Sequence, residues 1–102
     1  MEMDRSRVIT LIQTTYTVDK IGQQVPVEIG KDVFCNVSSV SPSEFFDAGR
    51  AGIKPEYRVT MFAPDYEQEE IVELDGKRYG VYRTYLGQNE TVELYLERKA
   101  GV

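Results

Sequence analysis

The chain has 102 residues, of which 41% are hydrophobic, and its formal net charge is −5. This length predicts a single domain, residues 1–102, that is large enough to fold alone. The acidic excess argues against a protein that grips nucleic acid, because neutralising phosphates requires clustered Lys and Arg. The chain has no His and only one Cys, Cys35, so it lacks the residues for most zinc, haem and Cys-His sites. The lone Cys also predicts a reducing, cytosolic compartment, and no apolar run approaches the length of a membrane span.

The first forty residues contain two β-rich stretches. Residues 5–17 are rich in Val, Ile and Thr and predict a strand. Residues 19–24 form a polar loop with a turn glycine, and the proline within residues 25–30 favours an extended sheet edge over a central strand. Residues 32–40 predict the second strand, in which Cys35 alternates onto the apolar face and therefore acts as a small buried side chain.

A short helix is predicted near residues 42–50. Ser41 can cap it, Pro42 suits its first position, and Glu44 stands where a capping box requires it. Gly49 or Gly52 should end it. So short a helix needs packing, which we expect from Phe45 and Phe46 as a lid on one open end of the sheet. The alternative is a projection that binds a partner. Its candidate contact residues are Ser41, Glu44, Phe45, Phe46 and Arg50.

The remainder predicts a strand over residues 56–63 and a three-stranded meander over residues 70–98. Asp75-Gly76 between two β-rich runs is a strong hairpin signal, because the tight turn needs positive φ. In the last strand Val92, Leu94 and Leu96 point one way and polar residues the other. The sum is an all-β, mainly antiparallel fold: a small barrel or sandwich of about six strands with one short helix and long loops, in which closure removes exposed edges.

The search for chemistry yields no catalytic, metal or cofactor site. Residues 49–52 contain two glycines but lack the Lys-Ser/Thr ending of a phosphate-binding loop. Adjacent carboxylates such as Glu69 and Glu70 point to opposite faces of a strand and do not converge. The acidic run at residues 65–75 is typical of a solvated turn. We therefore predict a binding or structural protein without enzymatic activity or a cofactor.

Several segments of the sequence, taken in their order and spacing, carry a resemblance to a known family. They are residues 7–12 (RVITLI), 19–23 (DKIGQ), 33–37 (VFCNV), 39–49 (SVSPSEFFDAG), 65–66 (DY), 76–79 (GKRY), 81–85 (VYRTY) and 93–95 (ELY). In order and spacing, over nearly the whole chain, the sequence resembles the head-closure or head–tail joining proteins of tailed bacteriophages and prophages.

This resemblance implies a structural virion protein with no catalytic residues to carry over. Family members are small β-barrels with long loops, arranged as a ring, with twelvefold symmetry expected, beneath the portal and its adaptor. The ring closes the DNA-filled head and provides the surface to which a tail-terminator or tail protein attaches. Packaged double-stranded DNA passes through without specific binding. The protein is then expected in the host cytoplasm during assembly, where it could be a monomer, and afterwards in the virion neck.

An acidic lumen would repel DNA and let it pass. The hypothesis is therefore that part of the acidic stretch at residues 65–75 or the loop at residues 19–24 faces the channel. The candidate residues are Asp19, Lys20, Gln23, Asp65, Glu67 and Glu69. Two alternatives stay open. One is a tail-completion or tail-terminator protein, which size and β-content do not distinguish. The other is an acidic DNA-mimic inhibitor, which should display carboxylates at phosphate spacing along one face.

Overall fold

The computed structural model describes residues 7–98, which form six strands and one α-helix. The elements are β1 Arg7–Val18, β2 Gln24–Ser38, α1 Pro42–Arg50, β3 Pro55–Phe62, β4 Ile71–Leu74, β5 Lys77–Leu86 and β6 Thr91–Arg98, with a 3-10 turn at Ala63–Asp65. The strands close into a barrel in the order β1-β2-β3-β6-β5-β4, and every pairing is antiparallel. The predicted antiparallel barrel with one helix is confirmed. Arg5 and Ser6, at the start of the first predicted strand, lie outside the described residues.

The barrel interior is filled by apolar side chains from all six strands. Its members include Ile9, Leu11, Val33, Cys35, Val59, Met61, Val72, Leu74, Tyr79, Val92, Leu94 and Leu96. Cys35 is completely buried, as predicted. Burial raises the pKa of its thiol to about 11, which keeps it protonated and unreactive at neutral pH.

Local turn chemistry explains the hairpin between β4 and β5. Asp75 and Gly76 both have positive φ, 52° and 77°, and Leu74 pairs directly with Lys77. These are the features of a two-residue type I′ turn, whose twist matches that of the strands it joins. The hairpin prediction from the Asp-Gly pair is confirmed.

Caps determine both ends of α1. The Ser41 hydroxyl accepts a hydrogen bond from the Glu44 amide at 3.1 Å. At the other end Gly52 has a φ of +80°, and the Gly52 and Ile53 amides donate to carbonyls of the last turn, both at 3.0 Å. This is a Schellman ending with Gly52 in the left-handed position. Of the two predicted stops, Gly52 is therefore the one used.

The first hairpin extends far beyond the barrel. β1 and β2 pair from Arg7↔Cys35 to Val18↔Gln24, whereas β1 pairs with β4 only at residues 10–12 and β2 with β3 only at residues 35–38. Residues 13–29, called the arm below, thus form a two-stranded ribbon whose six residue pairs span about 20 Å. The molecule is accordingly elongated, 53 × 31 × 23 Å.

The arm both confirms and corrects the sequence interpretation. Residues 25–30 lie at a sheet edge, as the proline predicted, because β1 is their only strand neighbour among the described residues. They are not separated from the following strand, however: β2 runs without a break from Gln24 to Ser38. Proline lacks an N–H donor, and it is tolerated here because no strand pairs with the outer edge of β2 at this position.

Candidate functional site

A polar contact holds α1 against the outer face of the barrel. The Glu44 carboxylate accepts hydrogen bonds from the Tyr82 hydroxyl, at 2.8 Å, and from the Arg83 guanidinium. The Glu44 side chain is only 14% exposed. Glu44 therefore does not complete the predicted capping box; its carboxylate joins the helix to β5 instead.

This contact shifts the pKa values of all three groups. Burial raises the pKa of Glu44, but the hydrogen bonds from Tyr82 and Arg83 outweigh it, and the pKa lies below its ordinary value. Burial, and then the bond to Glu44, raise the pKa of Tyr82. The hydrogen bond to Glu44 also raises the pKa of Arg83. At neutral pH the contact is thus a carboxylate held by one neutral and one cationic donor, a strong arrangement.

A β-bulge in β5 brings both donors to the same place. The register between β5 and β6 shifts between Val81 and Arg83, so that Tyr82 is the extra residue. Bulges redirect side chains in this way. The Arg83 guanidinium lies 4.1 Å from the centre of the Tyr95 ring, and the Tyr82 and Tyr95 rings are 6.2 Å apart. No short-range signal in the sequence indicates a bulge at Tyr82.

Phe45 and Phe46 do not pack α1 onto the sheet, so that expectation is wrong. Their side chains are 51% and 67% exposed, and their rings contact each other edge to face, with centroids 6.0 Å apart. The buried helical residue is Ala48. A helix anchored by a carboxylate and a small residue thus leaves two aromatic rings in solvent, and the alternative of a partner-binding projection stays a prediction.

Two other candidate contact residues, Ser41 and Arg50, differ in whether their side chains are already engaged within the chain. Ser41 is exposed, but its hydroxyl is engaged in the cap. The Arg50 side chain is 83% exposed and lies 3.8 Å from Asp47, a surface pair of little strength. Arg50 and the two phenylalanines therefore remain available to a partner, whereas Ser41 and Glu44 position the helix.

The loop before β4 lies beside the base of the arm. Lys31 Nζ lies 2.9 Å from Glu67 Oε1 and 3.6 Å from Glu69 Oε2. The Glu69 side chain is only 4% exposed, and it accepts the Glu67 amide at 2.7 Å. The expectation that Glu69 faces a channel is therefore wrong, because its side chain is buried and its carboxylate holds the loop against Lys31. Asp65 and Glu67 are exposed on the same loop.

The second set of predicted channel residues lies at the tip of the arm. Asp19 Oδ1 accepts from the amides of Ile21 and Gln23 at 3.0 and 2.8 Å, so its carboxylate builds the turn. Lys20 and Gln23 are exposed there. The tip lies about 20 Å beyond the barrel end. The two loops, grouped in the sequence hypothesis, are thus at separate positions along the molecule.

Among residues 7–98, the arm carries the largest concentration of exposed apolar side chains. The sequence indicated residues 25–30 as an exposed edge ready to contact a neighbour, but it did not indicate the apolar side chains of β1. Val25, Val27 and Ile29 follow one face, 39%, 38% and 54% exposed, and Tyr16 and Val18 follow the other, 64% and 70% exposed. The uncharged run of residues 13–18 is the signal that could have indicated it. At its base the arm is braced by Arg78, which donates to both carboxylate oxygens of Glu28 at 2.7 Å.

Comparison with known proteins gives no relative: no family model matches the chain, and no curated protein is found similar to it. Within residues 7–98, no group of three or more His, Cys, Asp or Glu side chains is placed to hold a metal ion. No helix in that part of the chain is long and apolar enough to cross a membrane.

Proposed function

We propose that the chain is a structural subunit of a ring in the neck of a tailed-phage virion, where it closes the DNA-filled head and provides the surface for tail attachment. The observation that carries the assembly role is the arm. Two-stranded ribbons are marginal in water by themselves, and this one exposes apolar side chains on both faces. Such a surface is typical of a protein that becomes covered by another protein. The neck position comes from the sequence resemblance.

A ring subunit needs two different surfaces that fit each other, because head-to-tail contacts between identical chains are heterologous. The arm supplies one apolar surface, and the exposed rings of Phe45 and Phe46 on α1 supply a second that is separate from it. In the ring we place the arm and the helix at contacts with neighbouring subunits or with the adaptor and tail proteins. Asp65, exposed on the loop beside the arm, is the best remaining candidate for a DNA-repelling lumen, because Glu67 on the same loop is paired with Lys31.

The distribution of charge does not favour the DNA-mimic alternative. Many carboxylates are paired with cations of the same chain: Glu28 with Arg78, Glu44 with Arg83, Glu67 and Glu69 with Lys31, and Asp75 with Arg7. A mimic would need unpaired carboxylates in a row at phosphate spacing. Pairing of this kind suits a protein that uses charge to hold its own loops.

Deleting the gene in the phage or prophage that carries it tests the proposal. We expect DNA-filled or emptied heads without tails, and a return of joined particles when the gene is supplied in trans. Stable filled heads beside tails of uncontrolled length would assign the chain to the end of the tail instead. Normal infectious particles in the deletion strain would refute a virion role altogether.

A further inference from the structure

We propose that the free edge of β1 in the arm, residues 13–18, binds an extended segment of a partner protein by β-strand addition. We further infer that this segment carries Lys or Arg at its C-terminal end. The inference does not rest on the proposed function, because it uses only the pairing, composition and charge of this edge.

The first observation is a vacant strand position. β4 pairs with β1 as far as Ile71↔Ile12 and begins there, whereas β1 continues for six more residues. Beside those residues lies a groove of about 330 Å³. It is lined by residues of β1, among them Thr14 and Tyr16, and by the end of the loop before β4, including Glu69 and Glu70. This groove, called the seat below, is where a strand collinear with β4 would lie.

The second observation is that the edge is unprotected. None of residues 13–18 is charged, and four of them are β-branched. Natural edge strands are usually blunted by charges or proline, since an open edge pairs readily with another chain. The opposite edge of the arm has such protection in Pro26, whereas the β1 edge has neither device. The arm is thus guarded on one side and open on the other.

Pro26 also reveals which backbone groups face the seat. It pairs with Tyr16, and a proline fits a ladder only where its nitrogen points away from the paired strand. In an antiparallel pair, opposite residues share that orientation. The Tyr16 amide and carbonyl therefore point away from β2 and into the seat, as do those of Thr14 and Val18 by alternation. These groups are the ladder that an incoming strand would use.

The third observation is the charge at one end of the seat. Glu70 is exposed there, and within residues 7–98 it forms no ion pair. Glu69 lines the same end, but its buried carboxylate is paired with Lys31, so Glu70 supplies the free negative charge. No Lys or Arg lines the seat. A strand antiparallel to β1 runs in the direction of β4, so its C-terminal end reaches Glu70. A cation at that end is the complement, as in peptide recognition where backbone pairing supplies affinity and side chains supply selectivity.

The test uses two blocked peptides that differ only in the position of charge. The first is acetyl-Thr-Val-Thr-Val-Thr-Lys-Arg-amide, and the second has Lys-Arg moved to its N-terminal end. NMR titration and amide exchange of the whole chain report binding. We expect the first peptide to slow exchange at the amides of Thr14, Tyr16 and Val18. The second should bind about twofold to fivefold more weakly, the effect of one surface ion pair.

Four variants separate the contributions. Tyr16→Pro removes a donor from the seat and should weaken binding about tenfold, whereas Gln24→Pro, on the guarded edge, should change it less than twofold. Glu70→Gln should remove the difference between the two peptides. Glu56→Gln, an exposed carboxylate on β3 away from the seat, should preserve that difference.

Several results would overturn the proposal. One is no binding of either peptide by the wild-type chain. Another is that the peptide slows amide exchange on the guarded β2 edge of the arm instead of the β1 edge. This result is read from the wild-type chain, so it stands even if a proline variant unfolds the arm. Self-association of the chain that Tyr16→Pro abolishes, without peptide binding, would assign the seat to a second copy and equally refute a partner segment.

Discussion

The contact between Glu44 and β5 should decide whether α1 stays folded, and Glu44→Gln tests this. α1 has nine residues, too few for a stable isolated helix, and Ala48 is its only buried member. The substitution keeps the shape of the side chain but removes the charge, so the bond from Arg83 loses its ionic character. Hydrogen bonds to charged groups contribute about 1.5–3 kcal/mol. Because the amide can still accept a bond, we expect a loss of about 1.5 kcal/mol.

The assay is amide hydrogen exchange, which resolves local opening from global unfolding. A loss of about 1.4 kcal/mol corresponds to tenfold faster exchange, and we expect this in α1 while β3 and β6 are unaffected. Asp47→Asn is the matched control, since Asp47 lies on the same helix but its side chain is 70% exposed and 3.8 Å from its partner. Equal effects of both variants, or unchanged exchange in α1 for Glu44→Gln, would refute the reasoning.

Four further predictions rest on the same geometry. Because the pKa of Glu44 is depressed in the folded chain, helix protection should be full above its ordinary pKa of 4.5 and decline as pH falls further, after correction for intrinsic exchange. Gly76→Ala, at a φ of +77°, should lower the free energy of unfolding in urea by about 1–2 kcal/mol, whereas Gly49→Ala in α1 should protect the helix by up to about 1 kcal/mol. Replacing Phe45 and Phe46 by Ser should change the free energy of unfolding by less than about 0.5 kcal/mol and block head–tail joining.

Each of these has a distinct contradicting result. Helix protection that declines equally with pH in Glu44→Gln would mean that another group controls the helix. A neutral Gly76→Ala would argue against a left-handed turn, and a destabilising Gly49→Ala would place an unseen neighbour against it. Joining that survives the loss of both phenylalanines, or a domain that unfolds without them, would remove α1 from the contact surfaces.

The features that could be predicted from the sequence are those with local causes. The Asp75-Gly76 turn needs positive φ at both residues, and two residue types reveal it. The start of α1 depends on Ser41, three residues from the amide it caps. Strand alternation placed Cys35 and the last strand correctly, because a period of two acts over a few neighbours.

The features that could not be predicted depend on residues distant in sequence. Glu44 meets Arg83 across 39 positions, and only a bulge at Tyr82 lets it, so no short window contains the contact. Phe45 and Phe46 looked like packing residues because apolar side chains usually are; their exposure follows from a helix fixed by Glu44 instead. Glu69 looked solvated within an acidic run, but Lys31, from β2, gives it a buried partner.

Several carboxylates of this acidic chain thus have a structural role that the composition alone does not reveal. Within residues 7–98, three projections leave the barrel, and each is held by a pair between a carboxylate on the projection and a cation on the barrel. The pairs are Glu28 with Arg78 for the arm, Glu44 with Arg83 for α1, and Glu67 with Lys31 for the end loop. Exposed pairs contribute little to the free energy of unfolding, so the filled barrel must supply stability. The ion pairs instead fix the direction in which each projection leaves the barrel. Raising the salt concentration should therefore loosen the exposed arm and loop, through screening, well before it affects the barrel.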